Sequence, residues 1–370
     1  MLLVLISVLA AAPSPLVISH RGASGHRPEH TAAAYRLAIE QGADVIEPDL
    51  VVTKDGVLVA RHDVLLAEVE LVGRGIKRVD GAPVIVEATT NVAEHPEFAA
   101  RLTVQEVDGV LVGGWFAEHF TLAEIKTLRA RERLPAIRPA NTAFTDEPIL
   151  TFAEVLAIAA DGGVGVYPET KHPTFLLAAG HDTTALLVAD LKAAGFAGPV
   201  FIQSFEVGNL IRARALLEQA GVSAKLIQLI GATDGRQPPG SAFGVPFDVW
   251  SGAVPDGAPF GPGATYADLV SDPGLAWLSK HVDGIGPWAS DLLPRTQGPE
   301  GPQLTGAVAP WLGKARQLGL QVHTYTLRAE PTFRVRDEAG AVLSVEQEAQ
   351  RLVDAGVTGF FVEQPELFGQ

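Results

Sequence analysis

The sequence predicts an α/β protein built as a (β/α)8 barrel, on three observations. Short β-rich apolar runs alternate with Ala/Leu-rich runs of helical spacing along almost all of the 370 residues. The β-rich runs are continuously apolar, as expected of strands buried on both faces of a parallel sheet. There are eight of them, which suits a closed barrel better than an open doubly wound sheet. Length alone suggests two domains or so, but α/β barrels reach this size as one unit.

In chain order the strand candidates are "LVIS" (16–19), "DVIEPDLV" (44–51), "VGVYPET" (164–170), "VFIQSF" (200–205), "KLIQLI" (225–230), "VDGIGPW" (282–288), "QVHTYTL" (321–327) and "TGFFVEQ" (358–364). Helical spacing marks 31–43, 151–163, 209–221 and 345–357, and several of these end in glycine, a C-cap signal. Two stretches break the rhythm. Residues 64–150 mix β and loop character and read as an insertion after the second strand and its hairpin. Residues 231–276 are rich in Gly and Pro. In a barrel such segments belong above the C-terminal ends of the strands, where active sites sit.

Composition narrows the function. Hydrophobic residues make up 47% and charged residues 19%, a composition that supports a large core and argues against disorder. The net charge of −15 argues against non-specific nucleic-acid binding and attraction to anionic lipid. An anionic substrate would need local attraction, from a metal ion or a few basic side chains. The absence of cysteine removes disulfides, thiolate metal sites and cysteine nucleophiles together. The run "MLLVLISVLAAA" (1–12) is too short to span a membrane and resembles the apolar part of a signal peptide, with Ala10–Ala12 as a processing site. The expectation is export to the periplasm or beyond. A strand at the barrel bottom or a misassigned start are the alternatives, and they would leave the protein cytoplasmic. No other run is long and charge-free enough for stable membrane insertion.

The chemistry-bearing residues gather at strand C-termini. His20 and Arg21 end the first strand, Glu47 and Asp49 lie late in the second, and Glu169 and Lys171 end the third. Glu47 and Asp49 are two apart, so in a strand they share one face, where like charges call for a cation. Pro48 between them predicts a break in regular pairing. Asp55-Gly56 signals a hairpin. Taken as a two-residue turn, it pairs Lys54 with Val57 and sets His62 opposite Asp49. Glu169 completes an all-oxygen set suited to Mg²⁺ or Ca²⁺ rather than zinc. Arg21 and Lys171, with no evident acidic partners, are candidates for holding phosphate oxygens.

These segments, led by "SHRGASGHRPEHTAAAYRLAIEQGADVIEPDLVVTKDGVLVARHD", resemble the N-terminal signature of the glycerophosphodiester phosphodiesterases. "YPETKHPTF", "FIQSFE", "GIGPW", "VHTYTLR" and "GVTGFFVEQPE" resemble that family's later strands in order, and 64–150 looks like the insertion of its longer, exported bacterial members. The resemblance runs from about residue 16 to the C-terminus. It implies a TIM barrel that hydrolyses small-molecule glycerophosphodiesters to glycerol 3-phosphate and an alcohol. It further implies His20 and His62 as the acid–base pair, Glu47, Asp49 and Glu169 as metal ligands, and Arg21 and Lys171 as phosphate-binding positions. Calcium is favoured, with magnesium as the alternative. Two departures, His30 for the family's Asn and Glu363, Gln364 and Glu366 for its Asp residues, are expected not to touch the metal or histidine positions. The remaining histidines are set aside, His323 being the strongest of them as a substrate contact. Trp115, Trp288 and Tyr325 are candidate pocket walls. A lipid phosphodiesterase acting on choline lipids and a barrel that binds without catalysis stand as rival readings.

Overall fold

The computed structural model describes residues 14–234 and 244–369, so the expected signal segment at 1–12 lies outside the described residues. Eight parallel strands form the centre: β1 (Leu16–His20), β2 (Val45–Glu47 continuing as Asp49–Val52), β3 (Gly165–Val166 continuing as Glu169–Thr170), β4 (Phe201–Ser204), β5 (Lys225–Ile230), β6 (Gly284–Pro287), β7 (Gln321–Leu327) and β8 (Gly359–Val362). Each is bonded in parallel to the next, and β8 pairs with β1, so the ring of pairings returns to its start. β2 and β3 are each split at a proline, Pro48 and Pro168, which cannot donate to the ladder.

Helices follow the first seven strands, among them Ala32–Glu40, Phe152–Gly162, Val207–Ala220 and Val345–Ala355. Their ends follow local chemistry. Thr151 with Glu154 and Ser344 with Gln347 form capping boxes, and Gly163, Gly221 and Gly356 stop their helices in left-handed conformation. After β8 the described chain holds only a 3₁₀ turn, Pro365–Leu367. Between the second and third strands lies a four-stranded antiparallel sheet, in the order Ile85–Ala88, Leu65–Val69, Val110–Phe116, Thr103–Val107.

Inside the barrel, one layer of side chains is apolar: Ile18, Val45, Tyr167, Phe201, Ile227 and Phe361. Side chains alternate along a strand, so the position two residues further on points the same way. Those positions are His20, Glu47, Glu169, Gln203, Leu229 and Glu363. The polar layer therefore sits on the apolar one, at the strands' C-terminal ends. His323 belongs to the lower layer: it is 1% exposed, packs against Phe201 and Tyr167, and its Nδ1 lies 2.9 Å from the Tyr167 hydroxyl. It is a core residue and not a substrate contact.

The hairpin register differs from the expected one by a residue. Gly56, at φ +80°, closes a three-residue turn: Gly56 N–H donates to Thr53 C=O (3.0 Å) and Thr53 N–H to Val57 C=O (2.9 Å). Leu50 then faces Ala60, and Arg61, not His62, comes opposite Asp49, its N–H donating to the Asp49 carbonyl (3.0 Å). A type I turn followed by a left-handed glycine adds one residue to the loop, which shifts the register. His62 lies two positions past the arm Leu58–Ala60 and still reaches the cavity.

The Tyr167–His323 bond predicts the behaviour of one conservative change. Tyr167→Phe keeps the ring and strands a buried imidazole nitrogen, so stability should fall by about 1–3 kcal/mol. Chemical denaturation of the two proteins measures this, and an unchanged midpoint would show that the bond contributes nothing.

Candidate active site

The polar layer opens into a cavity of about 470 Å³ lined by His20, Arg21, Glu47, His62, Glu169 and Lys171. Trp288 and Tyr325 form part of its wall, whereas Trp115 is buried in the core, its indole N–H donating to the Phe98 carbonyl (2.9 Å). Six of the seven sequence-derived site residues thus line one cavity directly, and Asp49 joins them through the carboxylate cluster, so all seven are brought together.

Glu47, Asp49 and Glu169 each present a carboxylate oxygen within 4.8 Å of the other two, and all three are buried. Burial, and then the neighbouring Asp49, push the Glu47 carboxyl well above the usual range. Burial likewise pushes Glu169 up to about 8, with Asp49 adding to the effect and Lys171 opposing it. Burial acts in the same direction on Asp49, but Lys171 and the His30 hydrogen bond outweigh it and hold that carboxyl well below its normal value. When all three are ionised, the three buried carboxylates outnumber by one the two basic side chains that face them. A hard dication fits this donor set: all ligands are oxygen, and their mutual repulsion is the kind a cation relieves. Gln203 Nε2 donates to Glu47 Oε1 (2.9 Å), orienting that carboxylate, while its buried Oε1 has no hydrogen-bond partner.

Arg21 and Lys171 are not without acidic partners, contrary to the sequence expectation. Arg21 Nη1 donates to Glu29 Oε2 (2.9 Å), and its Nε lies 3.2 Å from Asp49 Oδ2. Lys171 Nζ sits between Asp49 Oδ1 (3.1 Å) and Glu169 Oε1 (2.8 Å). Strand spacing could not reveal these pairs, because Glu29 comes from the first loop and the other contacts cross between strands. Both groups still border the cavity, so each can meet an anion there while it neutralises the carboxylates.

Both departures from the family pattern do touch the site. His30, at φ +60° and 1% exposed, donates from Nε2 to Asp49 Oδ2 (3.0 Å) and accepts at Nδ1 from the Tyr35 hydroxyl (2.8 Å). Glu363 Oε1 accepts from His20 Nδ1 (2.8 Å). Sequence reasoning missed both; the available signals were a buried imidazole before a helix cap and an acidic residue two positions past Phe361. Asp63 also went unnoticed, although it directly follows His62; its Oδ1 accepts from His62 Nδ1 (2.8 Å).

Each histidine therefore has a carboxylate at Nδ1, which keeps the proton there and leaves Nε2 for other work. Burial, then the Arg21 charge, lowers His20 to about 4 and His62 to about 3. At neutral pH both rings are neutral in this structure. His172, in left-handed conformation, donates from Nδ1 to Asp108 (2.6 Å) and shapes the loop after Lys171.

Comparison with known proteins places the chain in a family. The profile of the glycerophosphoryl diester phosphodiesterase family matches residues 20–246. A glycerophosphodiester phosphodiesterase of Arabidopsis thaliana is 34% identical over 346 residues, covering 86% of this chain and 76% of that protein. One from Haemophilus influenzae is 28% identical over 379 residues, covering 95% and 88%. Among solved structures, a phosphodiesterase of Oleispira antarctica in complex with the product sn-glycerol-3-phosphate superposes with a TM-score of 0.54 at 19% identity, over 96% of this chain and 95% of that one. A protein from Silicibacter pomeroyi gives 0.57 at 20% identity, over 96% and 92%. The structural likeness shows a shared TIM-barrel-like fold, and the sequence match shows the kinship: the chain belongs to the glycerophosphoryl diester phosphodiesterase family.

Proposed function

We propose that the protein hydrolyses glycerophosphodiesters to sn-glycerol 3-phosphate and an alcohol, with His20 and His62 as the acid–base pair. The observation that carries this reading is the meeting, in one cavity, of two carboxylate-braced histidines with three converging carboxylates. Glu47, Asp49 and Glu169 would hold one divalent cation, which when bound neutralises the phosphate and acidifies a coordinated hydroxyl or water. Arg21 and Lys171 hold the phosphate from the rim. One histidine accepts the nucleophile's proton at Nε2. The other, which must take up a second proton at Nε2 once the anionic substrate is bound, donates that proton to the departing alkoxide, which leaves poorly without one. Calcium is the proposed ion over magnesium, since it tolerates irregular oxygen geometry and is plentiful outside the cytoplasm, where residues 1–12 would direct the protein.

Release of glycerol 3-phosphate from glycerophosphocholine, with and without chelator, tests the whole reading. Activity should vanish on exhaustive chelation and return with Ca²⁺; turnover that survives chelation would exclude the metal. Proton linkage gives a second check. With Glu169 at about 8, cation binding below that pH must displace a proton. Affinity should therefore rise with pH over this range, by up to about tenfold per unit for each proton displaced. Calorimetric titration from pH 6 to 9 reads this directly, and a flat profile would count against Glu169 as a ligand.

The histidine pair makes its own prediction. His20→Ala or His62→Ala should lower turnover about 10²–10⁴-fold while cation binding persists. A nitrophenyl diester has a leaving group that needs no proton. The variant lacking the general acid should recover on that substrate, and the variant lacking the base should not. Equal losses on both substrates would show that the histidines do not move protons.

A further inference from the structure

Both histidines are braced in the same way, and from the same piece of chain. Glu363 gives Oε1 to His20 Nδ1 (2.8 Å), and its Oε2 accepts from Arg138 Nη2. Asp63 gives Oδ1 to His62 Nδ1 (2.8 Å), and its Oδ2 accepts from Arg133 Nη2 (2.9 Å). Each carboxylate thus gives one oxygen to an imidazole and the other to a guanidinium, and at Glu363 the imidazole's oxygen also lies 2.9 Å from Arg328 Nε. The two arginines sit five residues apart in "RERLPAIR" (131–138), between the second and third barrel strands. Their side chains are 14% and 6% exposed, and neither is among the described residues that line the cavity. Neither is placed to touch a substrate.

The segment is itself anchored. Arg131 N–H donates to the Thr89 carbonyl (2.9 Å), and Glu132 accepts from Leu134 N–H (2.8 Å) and Asn141 Nδ2 (2.8 Å). Arg133 also grips both oxygens of Glu29, from Nε (3.0 Å) and Nη2 (2.7 Å). Arg138 Nη1 donates to the Ser24 carbonyl (2.9 Å) and its Nε to Glu330 (2.6 Å). A short, irregular stretch therefore ties together the loop after β1, the end of the hairpin and the segment following β8.

A carboxylate at Nδ1 fixes the imidazole's tautomer and plane only as well as it is fixed itself. A guanidinium on its second oxygen sets that plane and keeps the group ionised. Without it, a buried carboxylate is left half-paired, and it rotates or takes up a proton. In either case the histidine loses its support.

We propose that residues 131–138 are a positioning strap: Arg133 sets the orientation and tautomer of His62, and Arg138 sets those of His20. The inserted segment, and not the barrel alone, then governs both proton transfers. This rests on the reading of His20 and His62 as an acid–base pair. A mere structural rivet would also bridge these elements, but its loss would not track a particular histidine.

The test is a pair of mutant cycles. Arg133→Met and Arg138→Met are made alone and in the His62→Ala and His20→Ala backgrounds respectively, and kcat is measured on glycerophosphocholine and on a nitrophenyl diester. Each Met variant should lose about 10–100-fold in kcat alone. In its own histidine's background it should lose almost nothing more, because a group that acts only through that histidine has nothing left to act on. The deficit on the nitrophenyl substrate should shrink for one arginine only, the partner of the general acid. Arg→Lys, which keeps the charge, should recover part of the loss, and it carries the same cycle if a Met variant fails to fold. An equal cost in both backgrounds overturns the strap. So do equal arginine deficits on both substrates while the histidine variants diverge. If the histidine variants themselves do not diverge, the acid–base reading fails, and non-additivity still decides whether each arginine works through its histidine.

Discussion

The crowding of Glu47, Asp49 and Glu169 at the mouth of the barrel is the constraint around which the rest of the structure is arranged. Three carboxylates within 4.8 Å, all buried, repel one another in a medium that screens weakly. The surroundings answer that repulsion. Lys171 bridges two of the three, Arg21 approaches Asp49 from the side, and His30 donates to it from behind. Buried ion pairs of this kind seldom add net stability, since desolvation offsets the attraction. Their presence points to a site whose charges are set for binding something, and three converging carboxylates are a donor set that suits a cation.

That charge propagates outward. Arg21 must be held, and Glu29 holds it; Glu29 must be neutralised, and Arg133 does so, with Arg61 at 3.6 Å. Arg133 then reaches Asp63 and, through it, His62. On the other side Arg138 and Arg328 converge on Glu363, and through it on His20. The network is continuous from the carboxylate cluster to residues 131–138. Removing one member leaves a buried charge without its partner, which costs far more than the pair contributes.

The barrel makes the arrangement possible by its layering. An apolar tier of Ile18, Val45, Tyr167, Phe201, Ile227 and Phe361 closes the interior below the site and keeps water out from beneath. The period of two along each strand then lifts the next inward residue into the polar tier. Pro48 and Pro168 interrupt the ladder just before Asp49 and Glu169, where the strands turn their carboxylates into the cavity.

The sequence by itself determined the strand and helix order, the tier of polar residues at strand ends, and the seven candidate site residues that meet there. Those features are local: apolar runs, caps, and the two-residue spacing of Glu47 and Asp49 are read within a dozen residues. Hairpin register was at the edge of legibility, because one left-handed glycine at position 56 decides between two loop lengths. Only the tertiary structure decided who holds whom. His20 and Glu363 are 343 residues apart and meet because β8 pairs with β1. Arg133 and Arg138 come from a stretch without periodicity, so nothing in its pattern marks them, and their partners lie on the loop after β1, the hairpin end and the segment following β8. His30 looked like a loop substitution until the backbone brought its ring under Asp49. Pairing between buried charges depends on the closure of the ring, and closure is a property of all eight strands together.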